Sequence, residues 1–326
     1  MQNQSNLKYT HNENIRKHLK NIIQNNKLSN AYIFYGPRGI GKKAIALEFI
    51  KTLLLKDNFN SNSEKKISEN NHPDLEIIEP TFLDKGQLIK QSNFASERQK
   101  NIIPIIRIDQ IRNAKYFISQ KSIQADKKIV LIDDAHLLNE SASNCLLKTL
   151  EEPSNGLFIL LTSKLNLLLD TIKSRCQRIR FNNLSNYQLK EFLKNYINSD
   201  IDTDHDHNYI EEFIYLSNGS PGKMIENINT WNTIPKNIKE KIISPIHSLP
   251  DIYILSKNIS EHLDYYQQEF LVEYIQVLWW KTIRSEKIIK ILEELKSNLK
   301  NNIQPRISWE IILLRISMIL YPDIIN

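Results

Sequence analysis

The sequence reads GPRGIGKK at residues 36–43 and fits the spacing G-x-x-x-x-G-K of a phosphate-binding loop. Gly36, Gly39 and Gly41 are three of only 7 glycines in the chain, so their clustering is not general flexibility. In such a loop the backbone N–H groups face phosphate oxygens and Lys42 reaches the terminal phosphates. Lys43 stands where the motif has a Ser or Thr that holds Mg²⁺. The loop indicates nucleotide-binding ancestry, with a simple helix-capping turn as the alternative for its present role.

Apolar patterns on both sides of the loop predict an α/β fold. Residues 31–35 are short, aromatic and β-branched, as in a buried strand, and residues 42–55 have helical periodicity. Later strands are predicted at 75–78, 128–132, 158–161 and 178–181, and the helices between them favour a parallel sheet. Beyond Phe181 the pattern is helical throughout. We expect three domains, at residues 1–182, 183–235 and 236–326.

One predicted strand ends in two carboxylates, Asp133 and Asp134. In P-loop ATPases the first carboxylate orients Mg²⁺, whereas the second is normally Glu and polarises the attacking water. Asp134 is one methylene shorter than Glu. A plain turn is the alternative, but a phosphate loop some 90 residues earlier favours a degenerate catalytic pair. The nearby His136 is interpreted as structural.

Composition excludes several classes of protein. The two cysteines, Cys145 and Cys176, lie in packed segments, which argues against a disulfide framework and excludes a four-cysteine zinc site. His205 and His207 fit a solvated loop better than a metal site, so no metal site is predicted. The sequence contains neither a targeting signal nor an apolar membrane span, so we expect a cytoplasmic protein. A net charge of +6 permits DNA contact, although a general compositional bias explains it equally well.

Two further motifs carry a resemblance to a known family. Residues 147–153 read LKTLEEP and residues 174–176 read SRC, while HPDL at 72–75 and LSNAY at 28–32 add support. Together these segments resemble the clamp-loader subunits of bacterial DNA polymerase III, over about residues 10–225. The resemblance implies an AAA+ P-loop nucleotide-binding fold with a parallel sheet, a small helical lid and an all-α collar for oligomerisation.

Departures from the ATP-hydrolysing motor subunits of that family indicate the stator type of subunit. Lys43 replaces the metal-binding hydroxyl and Asp134 replaces the catalytic Glu. In the lid, Gly222 stands where the motor has its sensor 2 arginine, and a polar segment from Asp57 replaces the zinc-binding cysteines. We therefore expect no zinc, a weak or absent ATPase, and ATP as a ligand whose Mg-dependent use is doubtful.

The intact SRC motif points to Arg175. By resemblance, Arg175 is an arginine finger that reaches the ATP site of a neighbouring subunit and stabilises charge on the γ-phosphate. A structural arginine beside the last strand is the alternative. Ser163 or Thr162 is the candidate sensor 1 residue, and a strand-terminating cap is the competing interpretation.

The resemblance implies a part of the DNA polymerase III holoenzyme that supports ATP-dependent clamp loading during replication, and not the polymerase itself. The implied partners are the gamma/tau and delta subunits, the sliding clamp and primed DNA, within a hetero-pentamer and without a membrane. Two other functions stay open. One is an active AAA+ ATPase, either a motor or a branch-migration helicase, and the other is a module that binds ATP without cleaving it.

Overall fold

The computed structural model describes residues 12–55, 66–67, 69, 71–84, 87–90, 104–152, 156–200, 210–243, 248–301 and 303–321. His205, His207 and most of the polar segment that begins at Asp57 lie outside these ranges. The chain divides into two compact units, Met1–Leu184 and Ser185–Asn326. The predicted boundaries at 182 and 235 stay predictions, the second because it concerns a finer division of the second unit.

A five-stranded parallel sheet forms the centre of the first unit. The strands are β1 (Ala31–Tyr35), β2 (Leu75–Ile78), β3 (Thr81–Asp84), β4 (Gln87–Lys90), β5 (Ile129–Ile132), β6 (Leu157–Thr162) and β7 (Gln177–Arg180). The order in the large sheet is β2-β5-β6-β1-β7, so the strand that leads into the phosphate loop has a neighbour on each side. Strands β3 and β4 form a separate antiparallel hairpin that the sequence did not predict.

Helices cover both faces of the parallel sheet. The helices of this unit are α1 (Glu13–Gln24), α2 (Lys42–Leu54), α3 (Ile108–Ser119), α4 (Glu140–Glu151) and α5 (Asp170–Arg175). On one face, Tyr32 and Phe34 of β1 place their rings 5.7 and 6.4 Å from the ring of Phe49 in α2. On the other, Ala31 and Ile33 share a core with residues of α3 and α4. Burial on both faces explains why β1 reads as an unbroken apolar run, and the predicted α/β class with a parallel sheet is confirmed.

Asp74, which directly precedes β2, connects this strand to the loop at residues 123–125. Its carboxylate is fully buried and accepts three backbone N–H bonds, from Ile123, Gln124 and Ala125, at 2.7–2.9 Å. The backbone N–H of Ile129 in turn donates to the Asp74 carbonyl at 2.9 Å. Buried carboxylates are stable when hydrogen bonds compensate their lost hydration, so the HPD segment is part of the scaffold.

The second unit is helical wherever the structure describes it. Its helices are α6 (Asn186–Asp200), α7 (Ile210–Ser217), α8 (Pro221–Thr233), α9 (Lys236–Ile243), α10 (Leu249–His262), α11 (Tyr265–Thr282), α12 (Glu286–Lys300) and α13 (Pro305–Leu320). Phe213 and Trp231, from the predicted lid, share a core with Phe270 and Tyr274 of the predicted collar. Among the helices described, none combines the length and the apolar character that a bilayer crossing demands.

Two prolines lie at the starts of the helices α9 and α10. Pro235 directly precedes α9, and its carbonyl accepts the N–H of Ile238 at 3.1 Å. Pro250 lies in the first turn of α10. A proline is tolerated there because the N–H groups of a first helical turn have no intrahelical acceptor. Both prolines therefore fit the helices that begin beside them.

Candidate functional site

The carboxyl ends of four parallel strands meet at one edge of the sheet. Gly36 follows β1, Glu79 follows β2 and Asp133 follows β5, while Thr162 is the last residue of β6. The register brings these ends level, with Tyr35 beside Thr162 and Ile78 beside Ile132. In open α/β sheets this edge is where ligands bind, and it gathers most of the predicted site.

The phosphate loop fits tightly between β1 and α2, and two glycines decide its path. Gly36 has a φ of +153°, and a Cβ there would lie 2.3 Å from the carbonyl oxygen of Phe181. Gly41 has a φ of +94° and open space where a Cβ would lie. Only glycine adopts such angles at little cost. The loop therefore keeps the backbone of a phosphate-binding turn, with α2 starting directly after it.

Lys42 folds back onto the loop that carries it. Its ammonium donates to the carbonyl oxygens of Gly36 at 2.7 Å and Pro37 at 2.6 Å. Burial lowers the pKa of Lys42 to about 8, and the nearby charges of Asp134 and Asp133 only partly oppose that shift. A ligand phosphate would have to compete with the two carbonyls for this group.

Lys43 bridges the two carboxylates at the strand ends. Its Nζ lies 2.8 Å from Glu79 Oε1 and 2.9 Å from Asp133 Oδ2. The carboxylates are mostly buried, with side-chain exposures of 13% and 23%. Burial alone would lower the pKa of Lys43, but Asp133 and Glu79 together outweigh burial and raise it. Lys43 is therefore positively charged at neutral pH, between the two carboxylates.

These residues do not fit the Mg²⁺ ion that a phosphate loop ordinarily uses. Mg²⁺ requires oxygen ligands in near-octahedral geometry, and Lys43 offers an ammonium in place of the hydroxyl. Asp133, the predicted metal-orienting carboxylate, is already paired with that ammonium. Within the described ranges, no three His, Cys, Asp or Glu side chains come together as they would around a metal ion.

Asp134 occupies an unusual backbone position beside His136. Its φ and ψ are 45° and 48°, a left-handed conformation that Asp adopts more readily than most residues. Its carboxylate lies 3.9 Å from Nδ1 of His136. Burial lowers the pKa of His136 in spite of that carboxylate, so the imidazole is neutral near pH 7. Asp134 thus lies at the predicted site, turned toward a neutral ring.

Of the two candidates for sensor 1, Thr162 has its side chain in this cluster. Thr162 is fully buried, and its hydroxyl lies 3.3 Å from Nδ1 of His136 and accepts the N–H of Lys164 at 3.1 Å. Ser163 is one residue further along and partly exposed. The bond from Lys164 is the one expected of a strand-terminating cap, the alternative to a sensor 1 residue. The same hydroxyl also lies close to His136 in the candidate site.

The SRC motif lies at the end of α5, where Arg175 is exposed and Cys176 is buried. Arg175 is the last residue of the helix, and its side chain is 37% exposed. One guanidinium nitrogen donates to the carbonyl of Thr171 at 3.0 Å and the other to Glu151 Oε1 at 2.6 Å. Cys176 turns inward, and burial raises the pKa of its thiol to about 12. Arg175 is thus a surface residue, whereas its neighbour belongs to the core.

In the second unit, Gly222 lies in the first turn of α8. The helix starts at the N-cap Ser220, whose hydroxyl accepts the N–H of Lys223 at 3.2 Å. Lys223 points toward Glu273, with 3.8 Å between their charged atoms. The helix start is intact, but position 222 carries no side chain that could contact a phosphate.

Two acidic residues escaped the sequence analysis. Glu79 follows β2 as Asp133 follows β5, and this parallel position was the available signal. Glu151 lies in the LKTLEEP motif, where it read as part of a family signature and not as the partner of Arg175. Neither contact follows from spacing alone, because 36 and 24 residues separate the partners.

Comparison with known proteins gives matches along most of the sequence. Residues 11–185 match the family described as DNA polymerase III, delta subunit, and residues 187–316 match the cyanobacterial DNA polymerase III delta prime, C-terminal domain. The delta-prime subunit of Pseudomonas aeruginosa is 35% identical over 155 residues, which cover 45% of this chain and 42% of the relative.

The delta-prime subunit of Bacillus subtilis is 31% identical over 185 residues, which cover 55% of this chain and 50% of the relative. The chain thus spans about half the length, or less, of these two curated relatives. A gamma subunit-related protein of Thermotoga maritima, of known structure, superposes with a TM-score of 0.48 at 17% identity, covering 92% of this chain and 98% of that one.

Proposed function

Because the chain belongs to the DNA polymerase III delta-prime family of clamp-loader subunits, we propose that it is the stator of a clamp loader. In this role it supplies Arg175 to the ATP site of a neighbouring motor subunit and hydrolyses little ATP itself. The position of Arg175, at a helix end on the surface of the first unit, carries the proposal.

Arg175 has the properties that a group donated to a partner needs. A guanidinium presents several N–H donors in a planar fork and stays charged at any physiological pH. Its bonds to Thr171 and Glu151 fix its position while leaving the side chain 37% exposed. Arginine fingers accelerate phosphoryl transfer by about 10³ to 10⁵ in GTPase systems, so one such residue is a sufficient catalytic contribution.

The chain's own site supports a weak or absent ATPase. Lys43 pairs with the carboxylate that would orient Mg²⁺, and Asp134 faces His136 and is shorter than the catalytic Glu of the motor. The glycine backbone and Lys42 still fit the phosphates of ATP, provided that Lys42 leaves the carbonyls of Gly36 and Pro37. ATP is thus a possible ligand without being a substrate.

Partners follow from the same proposal. The neighbours are the gamma/tau motor subunits and the delta subunit, in a hetero-pentamer that loads the sliding clamp onto primed DNA. The helical second unit supplies the oligomerisation surface. The net charge of the chain, +6 at pH 7, is compatible with a position close to DNA within the complex.

The finger is tested by Arg175→Ala in a loader reconstituted with gamma/tau, delta, clamp and primed DNA. The variant should assemble normally and lose most of the clamp-stimulated ATPase, with the residual turnover coming from motor sites that have other fingers. Arg175→Lys should recover little, since an ammonium lacks the planar fork. Unchanged turnover in Arg175→Ala would refute the assignment.

Arg180→Ala is the matched control, because Arg180 is an exposed arginine on the adjacent strand β7. It removes the same charge and should leave both assembly and ATPase intact. If the isolated chain shows Mg-dependent turnover that Lys42→Ala abolishes, the active-ATPase interpretation replaces the stator.

A further inference from the structure

The contact of Lys43 with two carboxylates differs from an ordinary surface ion pair. Glu79 and Asp133 follow the adjacent parallel strands β2 and β5 at the same level, because Ile78 pairs with Ile132. Both carboxylates reach the same ammonium, at 2.8 and 2.9 Å. A shared cation offsets the repulsion between two mostly buried carboxylates that reach the same point.

The location of that cation is the second observation. Lys43 occupies the position of the phosphate loop where Ser or Thr binds a divalent ion. Its side chain extends from the first turn of α2 to the strand ends, and its charge lies against Asp133, the carboxylate that the motif directs toward the metal. Lys42, on the same loop, adds a positive charge that further disfavours an ion from solution.

We propose that the Lys43 ammonium is a tethered substitute for a divalent cation. It fills the space between Glu79 and Asp133, so the native chain excludes Mg²⁺ there. Removal of the side chain leaves an acidic pair that recruits a divalent ion in its place. This inference concerns the chain by itself and does not depend on the stator role.

The test is thermal unfolding of the full chain after treatment with EDTA. Wild type, Lys43→Ala and Lys43→Ala/Asp133→Asn are compared in 10 mM MgCl₂ and in NaCl of equal ionic strength. Lys43→Ala should melt below wild type in NaCl and rise by about 3 °C or more in Mg²⁺, the size expected for a ligand well above its dissociation constant. Wild type and the double variant should respond equally little to the two salts.

The second measurement is Mn²⁺ binding. It is monitored by the decrease in the electron paramagnetic resonance signal of free Mn²⁺. Lys43→Ser, which restores a hydroxyl, is the second variant and is checked for folding by circular dichroism. One Mn²⁺ per chain in the Lys43 variants and none specific in wild type supports the proposal. Specific Mn²⁺ binding by wild type overturns it, as do Lys43 variants whose binding and melting match those of the Asp133→Asn double variant.

Discussion

The phosphate-loop edge and the Arg175 surface surround their positive charges with different kinds of partner. At the loop edge, Lys42 is bound by two carbonyls of its own loop and Lys43 by Glu79 and Asp133. Arg175 lies at a helix end, with a single described carboxylate partner, Glu151, that is itself 47% exposed. In the first region the carboxylates that pair with Lys43 are mostly buried, whereas the carboxylate that pairs with Arg175 is exposed and open to a partner protein.

In the proposed stator role, the chain keeps the backbone of a phosphate loop without carrying out Mg²⁺-dependent hydrolysis itself. The glycine turn, the parallel strands and the helix that follows are all present at the loop edge, while Lys43 stands in place of the metal-binding hydroxyl and Asp134 in place of Glu. The proposed contribution of the chain comes instead from Arg175, which does not belong to the phosphate-loop site.

The largest expected effect comes from breaking the loop edge at Gly36. Gly36→Ala should destabilise the first unit by about 3 kcal/mol or more, because the new Cβ meets the Phe181 carbonyl in a backbone region that L-residues avoid. Urea unfolding of the full chain measures this cost. Gly41→Ala, which meets no atom, should lose only about 1–2 kcal/mol from backbone strain, and equal losses in the two variants would contradict the packing argument.

The charge difference between Lys42 and ordinary lysines gives a second, intermediate effect. With a pKa of about 8, Lys42 is half neutral at pH 8, whereas a lysine of ordinary pKa is about 99% protonated there. Lys42 should therefore be acetylated on the order of tenfold faster than the exposed Lys17 between pH 7 and 8, and the advantage should shrink as pH rises toward 10. Lys43, whose pKa is raised, should lag behind. Peptide mass spectrometry resolves the sites, and parallel pH profiles for Lys42 and Lys17 would refute the shift.

The smallest expected effect on stability lies at the Arg175 surface. Glu151→Gln should cost less than about 1 kcal/mol, since both partners are substantially exposed. In a reconstituted loader it should nevertheless lower clamp-stimulated ATPase severalfold, because Arg175 loses the carboxylate that orients it. Glu152→Gln is the matched control, since Glu152 pairs with Lys115 instead. A loader unaffected by Glu151→Gln would show that Glu151 does not position the finger.

Sequence reasoning recovered the frame of the molecule because the frame is local. The strand at 31–35, the glycine turn and the helix from Lys42 each follow from a few adjacent residues. The bonds that define the site are not local: Lys43 meets Glu79 across 36 residues, and Arg175 meets Glu151 across 24. The β3–β4 hairpin was missed because its strands, TFLD and QLIK, are not continuous apolar runs, and Leu83 and Leu88 are exposed.

Asp74 has a consequence for how freely the sequence can vary. Its carboxylate holds positions 123–125 through their backbone N–H groups, so these three bonds do not depend on which side chains stand there. This explains how an isoleucine can stand 71% exposed at position 123 in an ordered loop. A substitution at positions 123–125 that keeps the backbone N–H therefore leaves the bond to Asp74 available.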